Sequence, residues 1–135
     1  MTFPQALQKN EMALLCGPQA TFGAFDPVLV GIAGVYRDPH RKAAHRAHVW
    51  GLYVTRTHRG GGIGRSLMMA ALRFARGLPG VTQVQLGVAE TANPAIQLYN
   101  TLGFVTWGTQ PDALRVGAQS VAEHHMILDL DALAV

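Results

Sequence analysis

The stretch Arg59-Gly60-Gly61-Gly62-Ile63-Gly64-Arg65-Ser66-Leu67 constrains this chain more than any other. An apolar run, His48-Val49-Trp50-Gly51-Leu52-Tyr53-Val54, precedes it, and a helical apolar pattern follows. Strand, glycine turn and helix in that order gather several unpaired backbone N–H groups, with the positive end of the helix behind them. Such a cluster binds an anion, most often a phosphate. The turn therefore predicts both a β–α unit and a phosphate-bearing ligand.

Spacing narrows the ligand. A dinucleotide fingerprint, Gly-x-Gly-x-x-Gly, would need glycine where Arg65 or Leu67 stands. A P-loop would need Gly-Lys-Ser/Thr at the helix start, and no such lysine is present. The surrounding charge suits a polyanion. Nine of the 11 Lys and Arg residues lie between Arg37 and Arg76, opposed there by Asp38 alone, although the net charge of the whole chain is only +3. Nucleic acid is a poor candidate, since no nucleic-acid motif and no basic run interleaved with aromatics occurs.

The rest of the chain reads as one α/β domain over residues 1–135, without repeats or linkers. Apolar positions between residues 4 and 16 predict a short helix. Thr21 to Phe25 and Val28 to Tyr36 predict a hairpin turned at Asp26-Pro27, and Val49 to Val54 a third strand. Gly64 to Arg76 carries a helical stripe of Leu67, Ala71, Phe74 and Leu78, stopped by Pro79-Gly80. Val81 to Val88 predicts a strand. Asn93 as N-cap and Pro94 at the first position open a second helix, which ends at Gly103. Val105 to Gly108 and Met126 to Leu130 predict the closing strands. The order requires a mixed sheet with at least one parallel pair joined through a helix.

No apolar run approaches a membrane span, and the start lacks the pattern of a secretory signal. The single Cys16 cannot form an internal disulfide. The expected setting is a reducing cytoplasm, with no membrane partner. His45-x-x-His48 and His124-His125 do not have metal-ligand spacing, since a strand sends adjacent residues to opposite faces, so no metal is expected.

Arg59-x-x-Gly62-x-Gly64 resembles the acyl-CoA-binding signature of the GNAT superfamily of N-acetyltransferases. Thirty residues on, Asn93-Pro94-Ala95-Ile96-Gln97-Leu98-Tyr99 with Gly103-Phe104 resembles the second hallmark of that superfamily. The ending, Pro111 to Val116 with Glu123 and Met126, looks like one branch of small bacterial members. The resemblance covers residues 21–130 and implies a GNAT-like fold, a central mixed sheet flanked by helices. Acetyl-CoA is then the implied cosubstrate. Its phosphates would meet Arg59, Gly60, Gly61, Gly62, Ile63, Gly64, Arg65 and Ser66. Its pantetheine arm would run along the backbone of Leu52, Tyr53 and Val54, with Asn93, Ala95 and Tyr99 on the far side.

The resemblance also implies direct transfer of an acetyl group to a primary amine of a small molecule or a protein, without an acyl-enzyme. Tyr99 is the candidate acid for the departing thiolate. Many members carry a glutamate on the strand before the glycine turn as base; this chain has none there. His48, Glu90, Glu123 and His124 are the titratable candidates. Cys16 lies far from both motifs, and Trp50 and Trp107 fit either an acceptor pocket or the core. Such domains begin with a strand and two helices. The 20 residues before Thr21 leave the first strand and one helix unaccounted for. An open acceptor site, a homodimer, or a start upstream of Met1 would each account for this. The missing carboxylate also fits an alternative, a non-catalytic acyl-CoA-binding or regulatory module.

Overall fold

A computed structural model describes residues 2–8 and 19–132. Strand β1 covers Thr2–Gln8, β2 Gln19–Phe25, β3 Leu29–Arg37 and β4 Arg46–Val54. Helix α1, Ile63–Arg76, leads to β5, Gln83–Ala89, and helix α2, Asn93–Leu102, to β6, Val105–Val116, and β7, Gln119–Asp129. The strands form one sheet in the order β1-β2-β3-β4-β5-β7-β6. Every pair is antiparallel except β4 with β5, which α1 connects.

The helix predicted between residues 4 and 16 is overturned over Thr2–Gln8, which pairs with β2 along the sheet edge. The first strand, unaccounted for in the sequence, is therefore present. Residues 9–18, which join it to β2 and include Cys16, lie outside the described residues. Scattered apolar residues have no clear period here, so pairing with β2 decides the outcome.

α1 forms where its stripe predicts. Leu67, Met68, Ala71, Leu72 and Ala75 are fully buried, while Phe74 and Leu78 pack at the margin. Ile63 and Leu67 also join a second apolar cluster with Ala24, Val30 and Ala33. Tyr99 and Leu102 of α2 share the main core with Met68, Leu72, Val49, Leu86 and Val88, so both helices cover one face of the sheet. Leu72→Ala would leave a cavity in the centre of this layer and is expected to cost about 3 kcal/mol. A lower urea midpoint at unchanged m-value is the measurement that checks it.

Asn93 is the first residue of α2 rather than its cap; Ala92 caps without a side-chain bond. Gly103 ends the helix in the left-handed conformation, and Phe104 N–H closes on the Tyr99 carbonyl at 3.0 Å. The closing hairpin is much longer than predicted. Pro111 and Asp112, beyond the predicted end of the strand at Gly108, sit inside β6 at a register shift between Gln110 and Leu114. β6 is the edge strand, where proline and a bulge are tolerated. Asp112, at φ 50°, is held there by Arg115 and by Ser120 across the hairpin.

The feature that matters most is where β4 and β5 stop pairing. Only Arg46, Ala47 and His48 pair with Gln83, Val84 and Gln85. Beyond that rung β4 stays with β3, through Tyr53↔Ile32 and Val54↔Gly31, while β5 stays with β7 as far as Ala89↔Glu123. A register shift opposite Ala33 places one extra residue in β4. Gly51 stands at that bulge with φ 68°, a conformation that side chains resist. The bulge bends β4 away from β5 and parts the sheet.

Candidate active site

The parting exposes the β5-facing backbone edge of β4 from Val49 to Val54, a ready template for an extended ligand. Leu52 and Val54 turn into the apolar clusters, whereas Trp50 and Tyr53 are exposed on the opposite face. Trp50 lies flat over Gly34, where a Cβ would sit 2.2 Å from the indole ring.

The glycine turn begins just past this edge. Gly60 and Gly62 have φ of 83° and 86°, and a Cβ on either would meet nothing within 4 Å. Gly62 caps α1 without a side chain, and no acidic residue occupies the first turn. Ser66 N–H is taken by the Gly62 carbonyl at 3.1 Å, which leaves the N–H groups before it without helical partners. Ile63, 3% exposed, is the anchor that holds this cradle to the core. Gly64 faces Leu98 of α2, with 3.4 Å from its would-be Cβ to the leucine methyl. Arg65 bridges the two helices through Thr101 at 3.3 Å.

Arg59 is less free than its motif position implies. Its Nε donates to the Val54 carbonyl at 2.9 Å and its guanidinium lies 5.5 Å from the Tyr53 ring centre. It ties the turn to the end of β4. Asn93 is exposed and Ala95 half-buried at the start of α2, on the other side of the parting.

Tyr99 is 6% exposed and packs against Phe104, with ring centres 5.9 Å apart. Its core neighbours include Val49 on one side of the parting and Leu86 and Val88 on the other. Burial pushes its phenol up to about 12. No described residue hydrogen-bonds the hydroxyl.

The base candidates separate sharply. His48 sits on the last paired rung, stacked on Tyr36 at 5.1 Å, with Nε2 2.9 Å from Asp38 Oδ2. Asp38 is the buried carboxylate of a small network. Burial would raise its pKa, but the His40 N–H at 2.9 Å, the His48 contact and Arg46 at 3.2 Å together hold it below 3.8. His48 is thus a strut between β3 and β4 as well as a titratable ring. Glu90 is exposed and tied to β7, its Oε1 accepting the Ala122 N–H at 3.4 Å. His124 pairs with Thr109 at 2.8 Å. Glu123 instead lies across Gly87 of β5, where a Cβ would come within 2.8 Å of its carboxylate, and 3.6 Å from His125.

Sequence reasoning missed Asp38 and the Glu123–His125 pair. The second had a signal: residues two apart on a strand share a face, whereas attention fell on the adjacent His124-His125. Asp38 gave none, because its partners come from the neighbouring strand.

The lowered Asp38 pKa carries a stability consequence. Its ion pairs contribute fully above about pH 5, and the contribution falls away as pH drops below 3.8. Asp38→Asn is expected to lower stability at pH 7 by about 1–3 kcal/mol and to flatten the acid limb of the stability curve, read from denaturant midpoints against pH.

A mixed sheet parted between its one parallel pair, with an anion cradle at the adjoining helix start, is the architecture of the acyl-CoA N-acyltransferases. The model of the acetyltransferase (GNAT) family matches residues 3–104, and the chain belongs to that family. Among curated proteins it is similar to the mycothiol acetyltransferase of Salinispora tropica, 38% identical over 65 residues, covering 48% of this chain and 21% of that protein. It is also similar to that of Streptosporangium roseum, 50% identical over 48 residues, covering 36% and 14%. The matches thus span about a fifth or less of those relatives. Among solved structures, a GNAT-family acetyltransferase of Streptococcus pneumoniae superposes with a TM-score of 0.76 at 20% identity, over 82% of this chain and 67% of that one. The yncA protein of Salmonella typhimurium, solved with its cofactor acetyl-CoA, gives 0.77 at 23% identity, over 93% and 72%.

Proposed function

We propose that this protein transfers an acetyl group from acetyl-CoA directly to a primary amine of a small molecule or protein. The observation that carries the reading is the parted β4 edge ending in an acid-free glycine cradle. The residues fit the donor. The space over Gly60 and Gly62 is open, the helix start supplies unpaired N–H groups, and Arg59 and Arg65 flank it with charge. The β4 edge supplies main-chain partners for an amide-bearing arm, and one of its N–H groups can stabilise charge on a carbonyl oxygen. Bound acetyl-CoA supplies an activated carbonyl with a thiolate as leaving group.

Tyr99 remains protonated throughout the neutral range. A phenol near 12 facing a thiol near 8.5 leaves full proton transfer uphill by about 5 kcal/mol. Its hydroxyl therefore acts first as a hydrogen-bond donor to sulfur as charge builds there. The proton follows as the thiolate, in the same apolar surroundings, becomes more basic. His48 and Glu90 are engaged in contacts that hold strands together, so neither carries the reading. Among the described residues no helix is long and apolar enough to cross a membrane. A cytoplasmic setting is part of the proposal, supported by the lone Cys16.

The test is thiol release from acetyl-CoA across a panel of amines, beside calorimetric titration of CoA. Amine-dependent release supports the reading. Tight CoA binding with no turnover on any amine replaces it with a non-catalytic acyl-CoA-binding module, and no CoA binding removes both.

A further inference from the structure

The two faces of the parted sheet are not alike. Tyr99 and both helices occupy one face. The other carries His48 and Gln85 on the last paired rung, and Gly87 stands two residues further along β5, on the first stretch with no β4 partner. The Glu123 carboxylate rests on the bare backbone of Gly87. Any side chain at position 87 would displace it. Glu123 is about one quarter exposed, His125 lies 3.6 Å from it, and the exposed Trp107 covers His125 with ring centres 5.6 Å apart. Gln110 Oε1 lies 3.3 Å from the same His125 Nε2 that faces Glu123. Glu90, tied to Ala122, and Asp129, opposite Gln83, are further carboxylates of this strand pair.

We propose that Glu123, seated on Gly87 and walled by His125, which Trp107 covers, is the acceptor subsite, and that it takes a primary ammonium whose apolar arm lies along Trp107. This rests on the acetyl-transfer reading and names the substrate class of the same site. A half-buried carboxylate, with an exposed indole beyond the histidine at its side, is a chemical match for an alkylammonium that carries an apolar arm, through a charge-assisted hydrogen bond at Glu123 and contact of the arm with Trp107. Its position explains the division of labour. The ammonium is held on one face of the parting and Tyr99 lies on the other; the ammonium gives one proton to solvent before its nitrogen attacks, and the second proton, released as the amide forms, replaces through solvent the one Tyr99 gives to the departing sulfur.

The experiment uses 2-phenylethylamine, methylamine and aniline, the last uncharged at pH 7. Calorimetric titration of 2-phenylethylammonium into CoA-saturated protein should show binding that Glu123→Gln weakens about tenfold or more. The same variant should raise KM for 2-phenylethylamine by a similar factor, leave aniline turnover nearly unchanged, and leave CoA affinity as in the wild type. Gly87→Ala is a second handle. Only the flexible end of Glu123 must move, so the fold is kept while ammonium binding falls. Trp107→Ala should raise KM for 2-phenylethylamine but not for methylamine. Wild-type protein that does not bind the ammonium, or Glu123→Gln that weakens aniline and 2-phenylethylamine alike, overturns the subsite. Ammonium binding that depends on Glu123 without acetyl transfer would keep the subsite and discard the catalytic reading.

Discussion

Tyr99→Phe is expected to lower kcat by about 10²-fold or more while CoA affinity and the folded structure stay as they are. The substitution removes one oxygen and keeps the ring on Phe104 and in the core. The hydroxyl has no described hydrogen-bond partner, so its loss orphans nothing, and stability at neutral pH should hold or rise slightly. Two pH measurements sharpen the test. Wild-type kcat should show no basic limb from this group below about pH 10, because the donor keeps its proton. Stability should show the corresponding linkage. The folded pKa is raised from 10 to about 12, so the contribution of the buried phenol is complete below pH 10 and is lost as pH climbs toward 12. Tyr99→Phe should lack that alkaline decline. If Tyr99→Phe turns over amines at the wild-type rate, the acid is another group.

Gly62→Asp separates binding from folding. An aspartate there adds negative charge at a helix N-terminus that has none, worth about 0.3–1 kcal/mol to the helix. It must adopt φ near 86°, which aspartate tolerates better than most residues at a cost of about 1–2 kcal/mol. The two effects largely offset one another, and no neighbouring atom lies within 4 Å to clash. Thermal stability should therefore change little. CoA affinity should fall about 100-fold or more, since the carboxylate competes for the N–H groups a phosphate would use and repels its charge. Side-by-side thermal unfolding and CoA calorimetry read the two effects. Equal loss of both would mean the turn is structural and not a phosphate site.

Much of the scaffold was readable in the residues. α1 lies within one residue of its predicted start and ends at Arg76, because its period and the Pro79-Gly80 stop act locally. The glycine turn, Gly103 and β3 were placed for the same reason: each depends on neighbours in the chain. The larger failures were non-local. β1 looked helical because its partner is β2, and β6 looked like a short strand because only edge pairing makes room for Pro111. Asn93 was expected to cap α2 and stands one position inside it.

The candidate site divides along the same line. The open glycine turn was legible because its N–H groups are consecutive along the backbone. Tyr99 was legible by resemblance, but its raised pKa arises from strands far away in sequence. Gly51 was visible as a glycine within a strand pattern, yet its effect, parting β4 from β5, depends on which strand each keeps as partner.

By itself, then, the sequence determined an α/β chain with a glycine turn between strand and helix, since periodicity, turn chemistry and spacing act over a few residues. Only the tertiary structure decided where the sheet opens, that His48 is bound up with Asp38, and that Glu123 rests on Gly87. Those facts are set by strand order and register, which bring together residues from 10 to 36 positions apart and leave no mark on the local pattern.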